Sequence, residues 1–127
     1  MANYLGATGI SVGDLKRAVD FYTRVLGMKQ TATFSLANME EAVMGFDRGS
    51  AIVLMQYTDG VARDHAAFAG KLVFYFDDVK AVIEGIREEG LEIVREPAKS
   101  DFGPALIAFA KDPDGYVLEL LQALAKK

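Results

Sequence analysis

The chain contains no cysteine. That absence excludes disulfide frameworks, thiolate zinc sites, iron–sulfur ligation and a thiol nucleophile together. It contains one histidine, His65. Tight transition-metal sites recruit two or three imidazoles or thiolates, so any metal here would have to rest on carboxylates. No apolar run approaches the ~18 residues of a membrane helix, and the longest, such as Ala105 to Ala110, have the length of a strand. The opening residues show no basic region followed by an apolar core, so no secretory signal is expected and the cytoplasm is the expected location. Basic residues are outnumbered, 14 Lys and Arg against 18 Asp and Glu, and the net charge of −4 argues against a nucleic-acid partner. What is present is 127 residues, 51% hydrophobic and 25% charged, the balance of one packed domain spanning 1–127 with no membrane partner.

Along the chain one pattern is used twice. Residues 4 to 12 read as a strand, with Thr8, Ile10 and Val12 on one face at period two. Asp14 is placed as an N-cap, and Leu15, Val19, Tyr22 and Leu26 follow at helical spacing, with Gly27 where a left-handed C-cap belongs. Three strand-like segments come next, about 28 to 36, 41 to 47 and 50 to 57. From Gly70 the order recurs: a strand Lys71 to Phe76, a cap at Asp77-Asp78, and an apolar helical stripe of Val79, Val82, Ile83 and Ile86 ending at Gly90. Strands at 91 to 96, about 104 to 110 and 115 to 122 complete the second copy. The turn Lys111-Asp112-Pro113-Asp114-Gly115 joins the last two and reads as structural, not phosphate-binding, because no helix follows it. An offset of 64 pairs Asp14 with Asp78, Lys16 with Lys80 and Val19 with Ile83. The expected architecture is therefore α+β: two tandem βαβββ modules, 4–57 and 70–122, joined by a linker at 58–69. Curved mixed sheets would surround a shared cavity.

Several segments carry a family resemblance. Val12-Gly13-Asp14-Leu15 with Ala18-Val19-Asp20-Phe21-Tyr22 and Val25-Leu26-Gly27-Met28, then Asp112-Pro113-Asp114-Gly115-Tyr116 before Leu118-Glu119-Leu120, resemble the vicinal oxygen chelate superfamily. That group holds glyoxalase I, bleomycin resistance proteins and extradiol dioxygenases. The resemblance implies, for its metal-dependent members, a His on the first strand and a carboxylate on the last strand of each module around one divalent cation. The matching positions here hold Ala7 and Lys71 for the histidines, and Leu54 and Glu119 for the carboxylates. One ligand of four survives, so no metal and no cofactor are expected. His65 matches no ligand position and reads as an exposed or capping linker residue.

Period-two arithmetic names the expected cavity lining as Ala7, Gly9, Ile52, Leu54 and Gln56 in module one, and Lys71, Val73, Tyr75, Val117 and Glu119 in module two. Such a wall suits an organic ligand with an apolar body and a polar handle. Lys71 with Glu119 has three readings: an ion pair filling the vacated metal position, the ligand's polar anchor, or catalytic groups for proton transfer. Removing either charge would cost roughly 3–5 kcal/mol if the pair is buried and much less if water reaches it. Three functions stay open: a metal-independent small-molecule-binding protein of the bleomycin resistance kind; a metal-independent lyase, isomerase or cyclase using Lys71 and Glu119, with Tyr75 as a further acid–base candidate; and an interaction domain with a vestigial pocket. A homodimer is expected, since open sheets leave an edge and an apolar face for a partner to cover.

Overall fold

The computed structural model describes residues 2–101 and 103–124. The chain divides into two compact units, Met1–His65 and Ala66–Lys127. The first runs β1 (Ala7–Ser11), α1 (Leu15–Asp20) continued by a π-type turn (Phe21–Val25), β2 (Lys29–Leu36), β3 (Met39–Gly45) and β4 (Ala51–Tyr57). The second runs β5 (Lys71–Tyr75), α2 (Val79–Glu88), β6 (Ile93–Lys99), β7 (Ala105–Lys111) and β8 (Val117–Ala123). Each unit is the expected βαβββ module, with sheet orders β1-β4-β3-β2 and β5-β8-β7-β6. First and last strands pair in parallel across the helical crossover, and the remaining pairs are antiparallel.

The helix covers one face of each sheet. In the second unit Val79, Ile83 and Ile86 are buried together with Leu72, Phe74, Leu118 and Leu120, the alternate residues of β5 and β8. In the first unit Ala18, Phe21 and Tyr22 are buried, as are Ile10, Ile52 and Leu54. The π-type turn widens the end of the first helix, Leu26 N–H donating five residues back to the Phe21 carbonyl at 3.2 Å. Gly27 then takes φ +80°, a left-handed conformation that a Cβ would strain.

Each helix start is tied to its sheet by the same device. Asp14 Oδ1 accepts from the Arg17 N–H and Asp78 Oδ1 from the Ala81 N–H, both at 3.1 Å, as N-caps do. The first helical N–H is satisfied from the last strand: Leu15 N–H donates to Gln56 Oε1 at 2.7 Å, and Val79 N–H to Gln122 Oε1 at 2.9 Å. The strand residues of this pair stand 66 apart, whereas the helix residues stand 64 apart. The two copies therefore differ by two residues of connection length between helix and last strand.

The turn before β8 is built on Asp112, only 2% exposed. Its Oδ1 accepts from the Asp114 and Tyr116 N–H groups, each at 2.9 Å, and Gly115 supplies φ +95°. This is the structural turn expected from the sequence.

Replacing Gln122 by Met keeps the volume and removes the acceptor, leaving the Val79 N–H without its partner. The expected loss is about 1 kcal/mol in urea unfolding. Unchanged stability in Gln122→Met would show that water serves that N–H equally well.

Candidate functional site

The helix-free face of each sheet is where side chains remain available to a ligand. Partners directly opposite in a β-pair share a face, so the registers assign it row by row. In the second unit Lys71 lies opposite Val117, Val73 opposite Glu119, and Tyr75 opposite Leu121. Leu72 and Phe74, between them, are buried under α2. Lys71, Val73, Tyr75, Val117 and Glu119 therefore share the open face, and Val73 and Tyr75 are 48% and 73% exposed.

Lys71 Nζ meets Glu119 Oε1 at 2.5 Å, reaching one row diagonally across the β5–β8 pair. The partners are unequally solvated. The Lys71 side chain is 52% exposed, whereas that of Glu119 is 11% exposed. The pair is thus neither the fully buried bridge nor the surface bridge of the sequence expectation: the carboxylate is desolvated and the ammonium is wet. The ammonium also lies 6.0 Å from the centroid of the Phe109 ring, whose residue sits opposite Glu119 on β7.

In the first unit the register corrects the sequence reading. Ala7 lies opposite Ala51, Gly9 opposite Val53, and Ser11 opposite Met55. Ala7 and Gly9 take the expected open face. Ile52, Leu54 and Gln56 do not: Ile52 and Leu54 are buried on the helix-covered face, and Gln56 caps α1. Glu119 pairs with Val73 as Val53 pairs with Gly9, so the first-unit counterpart of Glu119 is Val53, not Leu54. The offset here is 66, where the helices stand 64 apart, because the helix-to-strand connection differs by two residues. The sequence repeat alone sets β4 one residue out, and in a strand one residue reverses every side chain. Met55 is the residue this slip concealed. An added Cβ on Gly9 would lie 2.7 Å from Met55 Sδ, so the thioether fills the space beside the glycine.

His65, expected as an exposed or capping linker residue, is half-buried. Its Nδ1 lies 2.7 Å from Ser11 Oγ, tying the linker to the end of β1. Arg63, two residues earlier, stacks its guanidinium 3.5 Å from the centroid of the Tyr57 ring and pairs with Asp59 at 2.8 Å. The Arg63 hydrogen bond, followed by the Val61 amide, holds the Asp59 carboxyl below the usual carboxylate range.

The four positions at which the resemblance implies metal ligands hold Ala7, Val53, Lys71 and Glu119. Two offer no donor atom, and the ammonium of the third occupies an oxygen of the fourth. Among the described residues no group of three His, Asp or Glu side chains is placed to hold a cation. This donor set does not fit a divalent metal.

The model of the Glyoxalase/Bleomycin resistance protein/Dioxygenase superfamily matches residues 4–120. The chain belongs to this superfamily. Among curated proteins it is 31% identical over 129 residues to a probable lactoylglutathione lyase of Synechocystis, covering 98% of both chains. It is 36% identical over 116 residues to lactoylglutathione lyase GLX1 of Arabidopsis thaliana, covering 87% of this chain but only 41% of that longer protein. Among solved structures, glyoxalase I from Zea mays superposes with a TM-score of 0.80 at 34% identity, over 94% of this chain and 44% of that one. The family and the duplicated fold agree with the sequence reading.

The unequal solvation of the ion pair predicts unequal mutants. Lys71→Met leaves a desolvated carboxylate and is expected to cost about 2 kcal/mol. Glu119→Leu leaves an ammonium that water already reaches, at about 0.5 kcal/mol. The double replacement should return close to the parent, and a double-mutant cycle in urea measures all three. Equal single-mutant costs would contradict the asymmetry.

Proposed function

We propose that this chain binds a small organic molecule with an apolar body and a polar handle, and does so without a metal at the ligand positions of its relatives. The observation that carries the reading is the Lys71–Glu119 pair, set on an open face beside Val73, Tyr75 and Phe109. A charge pair embedded in exposed apolar and aromatic surface is a polar anchor in an otherwise greasy wall. The names of its relatives bring lactoylglutathione lyase activity into view. Ala7, Val53 and Lys71 in place of the implied ligands favour binding over metal-assisted chemistry.

A second reading, in which Lys71 and Glu119 do acid–base work as a metal-independent lyase, isomerase or cyclase, draws on their 2.5 Å separation. Proton transfer requires groups held in such contact with a tuned environment. The two readings separate on Glu119→Gln: an enzyme would lose turnover while retaining substrate, whereas a binding protein has no turnover to lose.

Protein grown with nickel, zinc, iron and manganese available is expected to carry none of them stoichiometrically by elemental analysis. Close to one metal per chain, removed by a chelator together with a measured activity, would overturn the metal-free reading. The converse replacement, Ala7→His with Val53→Glu and Lys71→His, should create measurable affinity for a divalent ion.

Binding itself is tested by calorimetry with a panel of small aromatic acids, amines and phenols. At least one member should bind, and Lys71→Met with Glu119→Leu should lose that affinity while remaining folded. Affinity untouched by the double replacement would remove the pair from the site.

Exposed apolar residues of β2, Phe34 and Leu36, support a homodimer, since a second copy would cover apolar surface that each chain leaves in water. Sedimentation equilibrium at tens of micromolar should give twice the chain mass, and a monomer would count against it.

A further inference from the structure

Arg95 is placed on the open face of the second sheet by an irregularity. In β6, Ile93 lies opposite Ala110, but Arg95 lies opposite Phe109, so two residues of β6 face one step of β7. Without that bulge Arg95 would oppose Ala108, which is fully buried on the helix side. A second register shift follows between Arg95 and Ala98, so the strand departs from regular pairing on both sides of this one residue. Bulges re-aim side chains, and they concentrate beside functional sites.

The row that results reads Val73, Glu119, Phe109, Arg95 across β5, β8, β7 and β6. Charge on this face is uneven. Lys71 is matched by Glu119, and Lys111, on the neighbouring row, by Glu92 at 3.4 Å. Glu96 does not neutralise Arg95, because Arg87 of α2 holds it at 2.6 Å. Among the described residues Arg95 has no carboxylate partner, and it is exposed. One unmatched guanidinium therefore remains on one side of Phe109, with Glu119, paired to Lys71, on the other.

We propose that this face takes an aromatic carboxylate, its ring against Phe109 and its acid group on Arg95. The inference rests on the binding function proposed above and names its ligand class. Arg95 and Glu119 stand two strand spacings apart, roughly 10 Å, which accommodates a one- or two-ring body between them. A guanidinium binds a carboxylate through two parallel N–H donors. A phosphate is the poorer match, since the face offers a single unmatched cation and no helix N-terminus.

The test uses three probes of one shape on the full chain: 1-naphthoate, 1-naphthamide and 1-naphthylmethylammonium, titrated by calorimetry. The expected result is binding of the acid at least about tenfold tighter than the amide. Arg95→Gln should abolish that preference while leaving amide affinity in place, and Arg95→Lys, which keeps the charge but loses the paired donors, should retain only part of it. Acid and amide of equal affinity, a preference for the ammonium probe, or a preference that survives Arg95→Gln would overturn the carboxylate assignment alone. Binding of none of the three, in protein whose fold is verified by circular dichroism, would overturn the binding function with it.

Discussion

Parallel pairing of the first and last strand of each unit is the constraint from which the rest of this structure follows. Two parallel strands cannot be joined by a tight turn, so the chain must leave the sheet, form a helix and return. That helix covers one face and fixes which alternate residues become core. Gln56 and Gln122 hold the arrangement at its weakest point, the helix entry, by accepting the first helical N–H from the strand that the crossover has to reach. Once the helix-covered face is settled, the alternate residues of each strand are fixed on the opposite face. Lys71, Glu119, Arg95 and Phe109 share that face because the registers of β5, β8, β7 and β6 leave them no other.

The Lys71–Glu119 pair places opposite charges in contact on the open face of the second sheet with unequal solvation. An isolated carboxylate only 11% exposed would be costly to keep ionised. A lysine stem reaching along the sheet supplies compensation while its ammonium stays half in water, so only one partner bears a large desolvation penalty. Ala7 and Val53, the first-unit counterparts of Lys71 and Glu119, carry no charge at all. Duplication gave the two units one backbone plan, and divergence left polar chemistry on one copy.

The division between what could be read in the sequence and what could not follows the range of the interactions. The caps at Asp14 and Asp78, the left-handed Gly27 and the Asp112 turn rest on neighbours within a few residues, and each stands where the sequence pattern puts it. The βαβββ order was legible because its signal is periodicity repeated twice. Ile52, Leu54 and Gln56 were misplaced because the strand face depended on a connection length counted through a repeat that is not uniform. Arg95 lay outside the sequence-derived site for a related reason: no Gly or Pro at 94 or 95 announces the first register shift of β6, and Pro97 marks only the second. His65 was identified as a lone histidine, but its Ser11 partner lies 54 residues away, where only the folded chain brings it.

Net charge and local charge point in opposite directions here, and the local field decides. A total of −4 would suit a cationic ligand if charge were spread evenly. Charge acts within about a Debye length, ~8–10 Å at ordinary ionic strength, so distant carboxylates on helices and loops contribute little to a ligand seated on the second sheet. Asp20, Glu84 and Glu96 are moreover engaged by Arg24 and Arg87 on exposed surface. On the open face itself the matched pairs cancel at short range and leave Arg95. The acidic balance of the whole chain therefore acts at long range, while the residual charge on the open face of the second sheet is positive.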